Sequence, residues 1–212
     1  MSSSSSSHTP TAGPSTSNST TNKPWIDPST LPNDPASASA LSSIAGNVPP
    51  YIKQLMCNTF YAYGVGSHDD TFGYAVGRAV RFVEMRVEYP EERGGRMEAV
   101  IVQEVEVTKN MLNGAGMLHG GCVTYLIDNC ASCPLVVLGL LTSTNGVGVT
   151  QGMNVLFHAP APVGSTLRIT SSSISMGSRI MAARCEITDK STGRVVASAF
   201  LNKMQPVAQA KL

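Results

Sequence analysis

The chain has 212 residues, 42% of them hydrophobic and 14% charged, and a formal net charge of +1. That length holds one domain with a real core, or a smaller domain and a tail. The near-neutral balance excludes the basic stripe of a nucleic-acid or acidic-membrane binder, and no apolar run is read as reaching the roughly 20 residues of a membrane span.

The start, "MSSSSSSHTPTAGPSTSNSTTNKPW", has neither a basic n-region nor an apolar h-region, and the first arginine is Arg78. A secretory signal is not expected. The expected location is cytoplasmic, with a mitochondrial one left open. Residues 1–46 are dominated by Ser, Thr, Pro, Asn and Ala. Such a segment buries too little apolar surface to offset its ordering entropy, so it is expected to be a disordered tail to a domain spanning 47–212.

From Asn47 the texture changes. "NVPPYIKQLMCNTFYAYG" sets prolines where a helix starts and places Ile52, Leu55, Met56 and Phe60 at helical spacing, predicting an amphipathic helix that ends at Gly64. In the following loop Ser67, His68 and Asp69 stand side by side. Triad members normally meet from separate parts of a fold, so this is read as a turn. Val83, Met85, Val87 and Tyr89 then alternate with Glu84, Arg86 and Glu88, the period of a half-buried strand. "PEERGGR" is a hairpin turn into the strand "MEAVIVQEVEVT".

A glycine-rich turn, "NGAGMLHGG", leads into a long apolar segment, about Gly120 to Leu141, apolar nearly all round and so predicted to be a buried helix. Pro134 inside it removes a hydrogen bond and is expected to kink or restart the helix. Four strand signals follow: "GVTQGMNVLFH", "STLRITSSSISM", "RIMAARCEIT" and "RVVASAFLNKM". Their short connections predict antiparallel neighbours. One long apolar helix among antiparallel strands makes the class α+β, a curled sheet wrapped round the helix. The five cysteines, Cys57, Cys122, Cys130, Cys133 and Cys185, lie in apolar stretches. They are read as reduced packing thiols, the Cys130-x-x-Cys133 pair included, and no metal is expected.

The run Asn113-Gly114-x-Gly116-x-x-His119-Gly120-Gly121, with Asp128 after it, resembles the hotdog-fold acyl-CoA thioesterases, in particular the group of the PaaI-like bacterial enzymes and the animal thioesterase superfamily member 2. The later strands, with a Pro-x-x-x-Gly corner and a Thr-Gly hairpin, fit the same pattern, and the resemblance covers about Val80 to Met204. It implies a hydrolase acting at a dimer interface, with the aspartate contributed by the neighbouring subunit. Asn113 matches the asparagine that polarises the thioester carbonyl together with the Gly120 N–H. His119 matches a supporting histidine, Asp128 the catalytic acid residue, and Thr150 a serine that helps hold the water.

The chemistry of the residues agrees with that picture. A helix start leaves N–H groups without internal partners and carries partial positive charge, suited to an oxyanion. Asp128, on an otherwise apolar helix, is a candidate general base. Gly120 and Asp128 are eight residues apart, about 12 Å along a helix, too far for one thioester to touch both. Two antiparallel helices related by a two-fold bring them together, which predicts a homodimer, and hotdog dimers often pair further into a dimer of dimers. Coenzyme A enters only as part of the substrate, no other cofactor being expected. Its phosphates are assigned to Arg179 and Ser178, with Lys203 and Lys109 behind them. Two rivals stand beside the hydrolase: a hotdog enoyl-thioester hydratase or dehydratase using His119 for proton transfer, and a non-catalytic acyl-CoA-binding protein.

Overall fold

The computed structural model describes residues 27–34, 40–66 and 68–205. Most of the expected tail (1–26 and 35–39), and Ser67 of the loop, lie outside the described residues.

Helix α1 (Pro50–Thr59) begins with Pro50 in its first turn and runs directly into a π-helical turn, Phe60–Val65, that ends at Gly66 rather than Gly64. Its apolar face behaves as the spacing requires: Ile52, Met56 and Phe60 are buried. A short helix, α2 (Tyr74–Ala79), follows the loop. The strands are β1 (Arg81–Glu88), β2 (Glu98–Glu106), β3 (Val149–Phe157), β4 (Thr166–Met176), β5 (Ile180–Asp189) and β6 (Val195–Met204), and the long helix α3 spans Gly120–Thr142. The strands form one antiparallel sheet in the order β1-β2-β4-β5-β6-β3.

The sheet curls round α3, whose Leu126, Ile127 and Cys130 are buried with Ile101, Ile169, Ala183 and Leu201 of the strands. α1 packs on the other side of α3, so the central helix is enclosed between sheet and helix. By length and composition α3 does pass for a membrane span, contrary to the sequence reading, but 67% of its most apolar stretch is buried inside the fold. Its apolar residues serve the core.

Four other expectations are corrected. Residues 40–46, expected in the disordered tail, are held against the domain. Ile44 enters the core, Ala45 bridges Glu84 in parallel, and the buried Lys53 ammonium donates to the Ile44 and Gly46 carbonyls at 2.6 and 3.1 Å. Gly46, at φ +93°, presses so close to β1 that a Cβ would lie 2.1 Å from the Met85 carbonyl oxygen. Farther out, Asn33 and Asp34 pair with Asn58 and Arg78. A few specific anchors order a segment whose composition alone predicts none.

Pro134 does not restart the helix, which is continuous from Gly120 to Thr142 with Pro134 buried inside it. Burial of the surrounding turns against sheet and α1 outweighs one lost hydrogen bond. The alternation of β1 is broken: a bulge between Phe82 and Glu84 puts Phe82 and Met85 on the buried side, three residues apart. Finally, the short link from β3 to β4 is no hairpin. β3 pairs with β6, and residues 158–165 cross the end of the curled sheet to enter β4 between β2 and β5. The curl brings those strand ends close enough for a short connection.

The cysteines are free, and all but the half-buried Cys122 are fully buried. Burial raises the Cys130 and Cys133 thiols well above their ordinary range. Among the described residues no cluster of three His, Cys, Asp or Glu is placed to hold a metal.

Candidate active site

The glycine-rich turn is built by Asn113. Its side-chain oxygen accepts from the N–H groups of Ala115 and Met117 at 2.9 and 3.2 Å, while Gly116 takes φ +78° to close the loop. The turn is clamped by Leu118 N–H donating to the Ala161 carbonyl and His119 N–H to that of Met111, at 2.9 and 2.8 Å. With the oxygen committed, the Asn113 amide nitrogen is the group that can meet a ligand.

His119 is the N-cap of α3. Its extended backbone (φ −69°, ψ 134°) lets the ring turn back, and Nδ1 accepts from Gly121 N–H at 2.8 Å. That bond makes Nδ1 the unprotonated ring nitrogen. Gly120 N–H, the first of the helix, has no intrahelical acceptor. A Cβ added at Gly120 would meet only the Phe157 ring, at an ordinary 3.6 Å. Packing within the protomer therefore does not demand glycine here. Close approach by something else would. Asn113 and Gly120 line a cavity of about 400 Å³ with Phe157 and His158. His119 faces a different one, beside Phe72, Cys122 and Tyr125.

Two turns farther along α3, half-buried Asp128 faces the start of β3. A bulge between Thr150 and Gly152 puts Thr150 on the inward face with Met153 and Val155. Thr150 Oγ1 there donates to Asp128 Oδ1 at 2.8 Å. Asn129, next to it in sequence, donates to its own helix at the Tyr125 carbonyl.

Lys203 completes this group. It shares the inward face of β6 with Ala197, Ala199 and Leu201, and pairs with Thr150 across the ladder. Its Nζ donates to Ser132 Oγ at 2.8 Å, and Ser132 donates to the Asp128 carbonyl at 2.7 Å. Burial lowers the Lys203 ammonium below its ordinary range, opposed by the negative charge of Asp128. At 8% exposure this lysine belongs to the carboxylate's cavity, not to the surface phosphate site expected of it. The cavity measures about 270 Å³, with Asp128, Ser132, Thr150 and Lys203 on one side and α1 on the other.

The predicted site residues therefore fall into two groups. Asn113 and Gly120 stand at one end of α3. Asp128 and Thr150 stand in a separate cavity, joined by Lys203. The exposed Lys109 lies in a 3-10 turn (Lys109–Met111) bonded to the first group's end of α3. Ser178 and Arg179, also exposed, lie in the β4–β5 turn, at the sheet end shared by Lys203 and the start of β3. Ser132 and the residues of α1 were not anticipated. Ser132 has a signal, its position one turn after Asp128 on the same helix face.

Residues 115–196 match the thioesterase superfamily. Acyl-coenzyme A thioesterase 13 of Homo sapiens is 30% identical over 97 residues, 46% of this chain and 66% of that protein's length. The match thus spans just under two thirds of the relative. Thioesterase superfamily member 2 of Mus musculus superposes with a TM-score of 0.52 at 25% identity, covering 64% of this chain and 90% of that one. The zebra fish protein of the same name reaches 0.55 at 21% identity, covering 70% and 94%, a likeness of fold.

Proposed function

From the match of residues 115–196 to the thioesterase superfamily, we propose that the chain is a hotdog-fold thioesterase that hydrolyses acyl-CoA thioesters to a free acid and coenzyme A. One observation carries the reading. A carboxylate held by a hydroxyl on the polar side of a cavity stands two turns from an unused helix-start N–H at a glycine that packing does not require.

The thioester carbonyl is taken up by Gly120 N–H and the Asn113 amide of one subunit, where the helix start stabilises the developing oxyanion. Asp128 of the other subunit, oriented by Thr150, accepts a proton from water as its oxygen attacks the carbonyl carbon. The C–S bond then breaks, the coenzyme A thiolate leaves, and the proton passes on to solvent or to the leaving sulfur. The active unit is a homodimer with two equivalent composite sites. Arg179 and Ser178 accompany the aspartate and Lys109 accompanies the oxyanion donors, so both ends of one site present groups for the phosphates of the coenzyme.

Hydration of an enoyl thioester has less support. It needs a histidine and an acid on one substrate, whereas His119 Nδ1 is committed to the helix cap and the ring lines a cavity other than the one shared by Asn113 and Gly120.

The test is release of free coenzyme A from short, medium, long and aryl acyl-CoAs by wild type and Asp128→Asn. Turnover by wild type and a loss on the order of 100-fold or more in a folded Asp128→Asn protein supports the reading. No turnover on any thioester overturns it.

A further inference from the structure

Resting on the hydrolase reading above, we infer that α1 and its π-helical turn form the acyl-binding wall, and that the site takes acyl groups of about ten carbons or fewer, straight-chain or aryl. This wall, residues 50–65, lies outside the segment that matches the superfamily.

The turn is placed with some precision. Gly66 N–H donates to the Tyr61 carbonyl, the wider spacing of a π turn, at 2.9 Å. π turns inside helices commonly sit at functional sites because the extra residue re-aims its neighbours. Here the turn is pinned on α3 on both sides of Asp128. Tyr125 Oη donates to the Gly64 carbonyl at 2.8 Å, and Gly64 sits so near Asn129 that a Cβ would be 2.5 Å from its Oδ1.

The cavity between turn and carboxylate has a wet side, a mouth and a floor. Asp128, Ser132, Thr150 and Lys203 make the wet side. Tyr63 and Val149, 54% and 47% exposed, stand at the mouth, while Met56, Phe60 and Val136, at most 4% exposed, close the apolar floor. A thioester carbonyl beside Asp128 therefore has its acyl chain directed along α1 onto Met56 and Val136. Size then decides the class. An apolar cavity of ~150 Å³ holds a single benzene ring, and this one, at about 270 Å³, is less than twice that. An octanoyl or phenylacetyl group fits; a palmitoyl chain does not.

The experiment is coenzyme A release by the full-length protein from butyryl-, octanoyl-, phenylacetyl- and palmitoyl-CoA, with wild type, Met56→Ala and Val136→Leu. Wild type is expected to favour octanoyl- over palmitoyl-CoA by roughly tenfold or more in kcat/KM. Met56→Ala deepens the floor and raises the palmitoyl-to-octanoyl ratio about tenfold; Val136→Leu fills it and lowers the octanoyl-to-butyryl ratio about tenfold. The two variants change the floor in opposite directions, so a failure of one to fold leaves the other to decide. Equal wild-type turnover of octanoyl- and palmitoyl-CoA overturns the inference while the hydrolase reading stands. So does a ratio unmoved in whichever variants fold. Wild-type silence on every thioester overturns the hydrolase reading and this inference with it.

Discussion

Thr150 and Lys203 face each other across the β3–β6 ladder, and both reach the same carboxyl-bearing residue. Thr150 bonds the Asp128 side chain directly, and Lys203 ties to its backbone carbonyl through Ser132. The aspartate is thus fixed by two strands and one helix turn, the rigid setting that the proposed general base requires.

The lysine of that pair carries a pH signature. Its folded-state ammonium titrates below the unfolded value of about 10.4, chiefly because it is buried. Between those two values the unfolded chain binds more protons, so stability rises with pH through that window and is complete above it. Lys203→Met should remove this rise. Partly buried Tyr61 and Tyr125 are pushed up to about 12, so in both proteins they lower stability between about pH 10 and 12. The measurement is therefore the difference between wild type and variant in thermal unfolding from pH 7 upward. Identical pH slopes would remove the lysine's charge from the account. In turnover the variant should lose kcat on the order of tenfold, less than removal of the base itself.

The composite site is tested by complementation. Asp128→Asn and Asn113→Ala are each expected to be nearly inactive alone. Mixed under conditions of subunit exchange, they form heterodimers in which one site has both native halves, and activity should recover to about a quarter of the wild-type level. No recovery, with exchange verified by tagged subunits, would place the complete site within one chain.

His119 separates capping from proton chemistry. His119→Ala loses the acceptor for Gly121 N–H and should destabilise the fold by roughly 1 kcal/mol, read by chemical denaturation. His119→Asn restores an N-cap acceptor and should recover both stability and thioester turnover to within a few-fold. A well-folded His119→Asn protein without turnover would mean that the ring itself handles a proton.

Much of this was legible because it is periodic. The hairpin turn "PEERGGR" places β2, alternation in "RIMAARCEIT" marks β5 to within a few residues, and the apolar run from Gly120 marks α3. What escaped was non-local. Nothing in the short link after β3 says that it crosses the sheet instead of turning back, because that depends on the curl. The bulge that turns Thr150 inward interrupts the period it would be read from. Lys203 did carry a signal, since it continues the inward phase of Ala197, Ala199 and Leu201. A charge in that phase means a buried partner, yet the partner lies on α3, far away in sequence. α2 is too short for a periodic signal, and its Arg78 meets Asp34 only through the fold.

The strand order has a consequence for synthesis. β3 forms its ladder with β6, the last strand to be made. While a ribosome is still translating β4 and β5, β3 waits unpaired, its inward Met153 and Val155 left without the β6 ladder that seats them on the core. Thr150 is locked into register with Lys203 only when that final strand closes the sheet. A nascent chain released before then carries the helix, the turn and the aspartate, but an aspartate that nothing has yet taken hold of.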